Sequence, residues 1–120
     1  MNETSMIEKT TIITLTEAEF RRRVLETGEP FMVEVGAEWS GNCAIMAPII
    51  ERLAGEYEGQ LQFGRLDIDA NEQIAREFGV TELPFLLFFR DGKLADFIIG
   101  TASRKTIEDR IAKLLETESK

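Results

Sequence analysis

The chain has 120 residues, of which 43% are hydrophobic and 30% charged, with eight Phe; this ordinary globular balance excludes disorder as the main state and predicts one domain. Its 14 basic and 22 acidic residues leave a formal charge of −8, a field that repels phosphate backbones and anionic lipid, so nucleic acid and membrane surfaces are excluded as partners. The absence of His removes imidazole bases, Ser-His and Cys-His pairs and imidazole metal sites, and the single Cys43 removes an internal disulfide, a cysteine-rich zinc centre and a two-thiol redox pair.

Residues 1–16 hold no apolar core of a leader, and the longest apolar run, 83–89, is short and contains Pro84. No export or spanning segment is expected, which makes the cytoplasm the expected compartment. The organisation predicted is a flexible segment over 1–9, one domain over 10–116 and a tail over 117–120.

The β-branched stretch 10–15 predicts a strand. It runs into a helix at Thr16, where Thr16 and Glu19 have capping-box spacing and Leu15 and Phe20 the spacing of a hydrophobic staple. Gly28 closes that helix and Pro30 breaks the chain. The near-continuous apolar run 31–37 suits a central strand covered on both faces, although Glu34 interrupts it. An isolated buried carboxylate must neutralise or find a partner.

After a turn over 38–42, apolar residues at Cys43, Met46, Ala47, Ile50, Leu53, Ala54 and Tyr57 trace one face of a helix. Pro48 lies inside it and predicts a kink. A strand over 61–68 follows, then a short helix ending at Gly79, with Asp69 and Glu72 read as its cap. Strands over 84–89 and 93–99 are joined by the Asp91-Gly92 hairpin signal. Ser103 caps a last helix whose Ile107, Ile111, Leu114 and Leu115 face inward. The order β-α-β-α-β-α-β-β-α requires parallel strands where helices intervene and an antiparallel edge from the hairpin, a three-layer α/β/α sandwich around a mixed sheet.

Trp39-Ser40-Gly41-Asn42-Cys43 falls where a central strand passes into a helix N-terminus, the end of an open α/β sheet at which sites form. The stretch from Ala37 to Cys43 resembles the A-E-W-C-G-P-C motif of the thioredoxin family. Pro48 resembles that family's kinking proline, and Leu83-Pro84 before a strand and hairpin resembles its cis-proline loop. The similarity extends over about residues 10–116 and implies the thioredoxin fold, a link to cell redox homeostasis, and protein clients or protein thiols as partners, with no cofactor and no metal. Asp67 and Asp69 share a strand face but have no third ligand nearby.

The departures from the family bear on activity. Ser40 stands where the family has its attacking cysteine, and serine keeps its proton without a base and cannot exchange with a disulfide as a thiolate does; its alternative reading is a helix N-cap. Conventional disulfide reductase turnover is therefore not expected. Cys43 matches the family's second cysteine and reads either as a small core residue or as a monothiol that uses glutathione or a partner thiol. Glu34 matches the family's buried acid and reads either as a proton relay or as a structural partner of Arg65. Trp39, Gly41, Asn42, Leu83 and Pro84 are the substrate-binding candidates, since the cis-proline loop of relatives pairs with an extended peptide. The readings that stay open are an atypical thioredoxin-like protein engaging thiols or clients through Cys43 and this groove, a monothiol oxidoreductase, a non-covalent interaction domain, and a Cys-to-Ser variant of an ordinary dithiol thioredoxin. A monomer is expected, a Cys43-linked dimer being the alternative.

Overall fold

The sheet is built from two opposite demands on its strands, parallel pairing wherever a helix intervenes and antiparallel pairing across the hairpin. The computed structural model describes residues 12–116; the expected segment 1–9, the first residues of the first strand and the tail 117–120 lie outside the described residues. Five strands, β1 (Ile12–Thr14), β2 (Phe31–Gly36), β3 (Gln62–Asp67), β4 (Phe85–Arg90) and β5 (Lys93–Ile99), form one sheet in the order β1-β3-β2-β4-β5. β1, β2 and β3 are mutually parallel, while β4 and β5 run antiparallel to their neighbours. The helices are α1 (Glu17–Phe20), which widens into a π-helical stretch over Arg21–Glu26, α2 (Gly41–Glu56), α3 (Glu72–Glu77) and α4 (Arg104–Leu115). No helix among the described residues is long and apolar enough to cross a membrane.

Alternation along the strands sorts the core into two layers. On one face Met32, Phe63, Leu86 and Phe88 pack against Met46, Ile50 and Leu53 of α2 and Ile107, Ile111 and Leu114 of α4. On the other, Phe31, Val33, Val35, Leu66, Leu87 and Phe89 pack against Phe20, Val24 and Ile74. There Phe20, Phe78 and Phe89 meet edge to face, with ring centroids 5.5 to 5.7 Å apart, an arrangement that adds to their area burial. β2 is buried over its whole length, as its apolar run requires.

The local signals act as the chain suggests. Thr16 forms a reciprocal capping box with Glu19, and the Ser103 hydroxyl accepts from the Thr106 amide at 3.1 Å. α2 runs unbroken through Pro48, with its stripe at Cys43, Met46, Ile50, Leu53 and Ala54 buried. One expectation is corrected: Asp69 does not cap α3. Asn71 occupies the N-cap, without a side-chain cap bond, and the Asp69 carboxylate is engaged elsewhere.

The β4–β5 hairpin turns on Asp91 and Gly92, at φ of 56° and 76°, the positive pair that a tight two-residue turn demands. Gly92 is doubly constrained, because a Cβ there would run into the Leu25 carbonyl oxygen. Gly92→Ala is therefore expected to lower stability by about 2 kcal/mol, read as a lower urea midpoint; an unchanged midpoint would contradict this account of the turn.

Candidate functional site

The site grows from the carboxyl ends of β2 and β3 and the first turn of α2. Even-numbered positions of β2 face α2, so Met32, Glu34 and Gly36 form one row beneath that helix. Glu34, third in that row, retains only 2% exposure. The parallel register sets Arg65 directly opposite it, and the Arg65 Nε donates to Glu34 Oε1 at 2.9 Å. The partner is half-open to solvent, with 37% of its side chain exposed against 3% for Glu34. The pair thus joins a buried carboxylate to water through a guanidinium, which offsets part of the cost of burying charge.

Ser40 is the N-cap of α2, in extended conformation, and its hydroxyl accepts from the Cys43 amide at 3.2 Å. That bond satisfies one of the open amides of the first turn. Gly41 and Asn42 are exposed, whereas Cys43 begins the buried stripe and keeps 9% exposure. Gly36 faces the thiol: a Cβ added there would stand 2.9 Å from Cys43 Sγ and 3.5 Å from Glu34 Oε2. Glycine is what lets the thiol and the carboxylate look onto the same space. That close approach depends on strand and helix meeting, which periodicity does not encode.

Trp39 is 69% exposed, yet its ring is tethered, because the indole Nε1 donates to Asp69 Oδ2 at 2.7 Å. Asp69 is itself held in a turn in which its amide donates to Asp67 Oδ1 at 3.0 Å. Trp39 and Ser40 line a hollow of about 320 Å³ with Ile68, Val80, Glu82 and Leu83. The Leu83–Pro84 peptide bond is cis. Pro84 is buried and its carbonyl accepts from the Gly100 amide at 2.9 Å, whereas the Leu83 amide and carbonyl make no hydrogen bond to another described residue. Ile45, also exposed at 66%, escaped sequence reading although its position off the α2 stripe is a usable signal.

The candidates therefore divide. Trp39, Ser40 and Leu83 border the hollow, while Glu34, Cys43 and Arg65 border a separate cleft of about 480 Å³ that also reaches Gly36, Glu38 and Asp67. Cys43 lines the cleft and not the hollow.

A family profile described as Thioredoxin matches residues 11–113. Thioredoxin 1 of Nostoc sp. is 30% identical over 101 residues, which cover 84% of this chain and 94% of that protein. Thioredoxin 1 of Synechococcus elongatus is 31% identical with the same coverage, and the chloroplastic M-type thioredoxin of Chlamydomonas reinhardtii is 35% identical over 80% of this chain and 69% of its own length.

Removing one member of the Glu34–Arg65 pair strands a charge. Arg65→Met is expected to cost about 2 kcal/mol, below the loss typical of fully buried pairs because Arg65 reaches solvent. Combining it with Glu34→Leu is expected to recover most of that loss. Urea unfolding of the single and double variants checks both, and a double variant no more stable than Arg65→Met would overturn the assignment of the loss to the stranded carboxylate.

Proposed function

This chain belongs to the thioredoxin family, and we propose that it is an atypical, redox-linked member that holds protein clients at the Trp39 and Leu83 hollow without two-cysteine reductase turnover. The observation that carries this reading is the backbone of Leu83, which makes no hydrogen bond to another described residue, beside an exposed, tethered Trp39. An amide and carbonyl of one residue without a partner among the described residues offer an extended peptide the pairing of an added strand, and a fixed aromatic ring gives contact area at low entropic cost. Both features are independent of a thiol.

The chemistry at the helix N-terminus supports the second half of the proposal. Thiol–disulfide turnover by one protein needs an attacking thiolate and a second thiol to resolve the mixed disulfide. Here the first position is a serine engaged as an N-cap, no His is present to deprotonate it, and Cys43 is the only thiol. Glu34, with one oxygen on Arg65, then serves as a structural partner in place of a relay for a resolving step. In this reading the functional unit is residues 10–116, acting as a monomer in the cytoplasm, where a lone thiol stays reduced.

The single Trp makes the hollow its own reporter. Titration with an extended, unfolded client peptide is expected to change Trp39 fluorescence saturably. Leu83→Pro, which deletes the amide donor, is expected to weaken binding about tenfold, a loss of about 1.4 kcal/mol. In an insulin-reduction assay the protein is expected to stay at the background rate, while Ser40→Cys raises it. No fluorescence response to any unfolded client, or a thioredoxin-like reduction rate from the unaltered chain, would sink the proposal.

A further inference from the structure

The cleft beneath Cys43 is lined by Thr14 at the end of β1, by Glu34 and Gly36 of β2, and by Arg65 and Asp67 of β3. Gly36 borders it, and a Cβ there would approach both Cys43 Sγ and Glu34 Oε2. The Glu34 side chain is only 3% exposed, and among the described residues only its Oε1 has a donor. Oε2 accepts no hydrogen bond from a described residue. A buried carboxylate oxygen without a donor is costly unless something supplies one, and this one borders a space of about 480 Å³ beside a thiol.

The charges around that space select what can supply it. Glu34, Glu38 and Asp67 contribute three carboxylates to the lining and Arg65 one guanidinium. Arg65 is already bound to Glu34, while Glu38 and Asp67 are exposed at the rim. A cation is therefore drawn in and an anion repelled. The volume admits a small molecule and not a folded partner.

We propose that the cleft is a subsite for small cationic disulfides, the aminothiol type represented by cystamine, and that Cys43 exchanges with them. The Cys43 thiolate attacks one sulfur, a new sulfur–sulfur bond forms to Cys43, and the original disulfide breaks. The departing aminothiolate carries off the electron pair and is protonated by water. One thiol and one disulfide are consumed and one of each is produced, so no further oxidant enters. An ammonium group of the ligand gives Glu34 Oε2 its donor, with Glu38 and Asp67 as the outer attraction. Anionic disulfides, glutathione disulfide included, are the disfavoured class. This subsite is distinct from the client hollow, and its occupation does not depend on clients binding there.

The test is the rate of mixed-disulfide formation at Cys43 in the full-length native protein, followed by intact mass. Cystamine, bis(2-hydroxyethyl) disulfide and dithiodiglycolate are compared, each normalised to its rate with the urea-unfolded chain. The normalised rate is expected to fall in that order, with about a tenfold span between the cation and the dianion at low salt. Glu38→Gln combined with Asp67→Asn, two exposed sites whose substitution leaves the core untouched, is expected to flatten the series. Equal normalised rates, a preference that survives the double variant, or a native thiol inert to all the reagents would each overturn the proposal.

Discussion

A carboxylate in the middle of a strand buried on both faces is the constraint around which this end of the molecule is arranged. Glu34 belongs to the row of β2 that lies beneath α2, where an apolar residue would ordinarily be cheaper. Its burial is tolerated because the parallel register with β3 brings Arg65 into line with it and because that guanidinium reaches water. The register is in turn held by residues on either side of the pair: Met32 lies opposite Phe63 and Val35 opposite Leu66, and a slip of one residue would send every apolar side chain of β2 to the wrong layer. One ion pair and one hydrophobic alternation thus fix each other. Gly36 and Cys43 complete the corner, since the thiol can stand over β2 only where no Cβ opposes it.

Ser40 holds the N-terminus of α2 as its N-cap. Serine satisfies the Cys43 amide, so α2 keeps its cap and the buried stripe keeps its phase. Around this cap lie two surfaces with different chemistry. One is the Trp39 hollow, with an aromatic ring held by Asp69 and, at Leu83, an amide and carbonyl that pair with no other described residue. The other is the cleft of Cys43, Glu34 and Arg65, bordered by Thr14 of β1 and Asp67 of β3. The two surfaces share no lining residue, and Cys43 borders only the cleft.

Much of this fold is legible in the chain because its signals are local. The capping box at Thr16, the stripe of α2, the Asp91-Gly92 turn and the Ser103 cap each depend on residues within a few positions of one another, and each is realised. The Glu34–Arg65 pair is legible only through family resemblance, since nothing in spacing says that residues 31 positions apart sit in register. Asp69 shows how a local signal misleads: its spacing to Glu72 suggests a cap, but a turn with Asp67 and the Trp39 indole compete for it, and Asn71 takes the cap position. The division of the site into hollow and cleft depends on which side of α2 the thiol leaves by, a property of packing between elements with no sequence period.

Independence of the two surfaces is most directly tested by the rate at which iodoacetamide, small and neutral, alkylates Cys43 in the native protein, with and without a saturating client peptide on the Trp39 hollow. If the thiol opens only into the cleft, the two rates are the same within error while Trp39 fluorescence reports full occupancy. Strong protection of Cys43 by the bound peptide would contradict that separation and return the thiol to the client-binding surface.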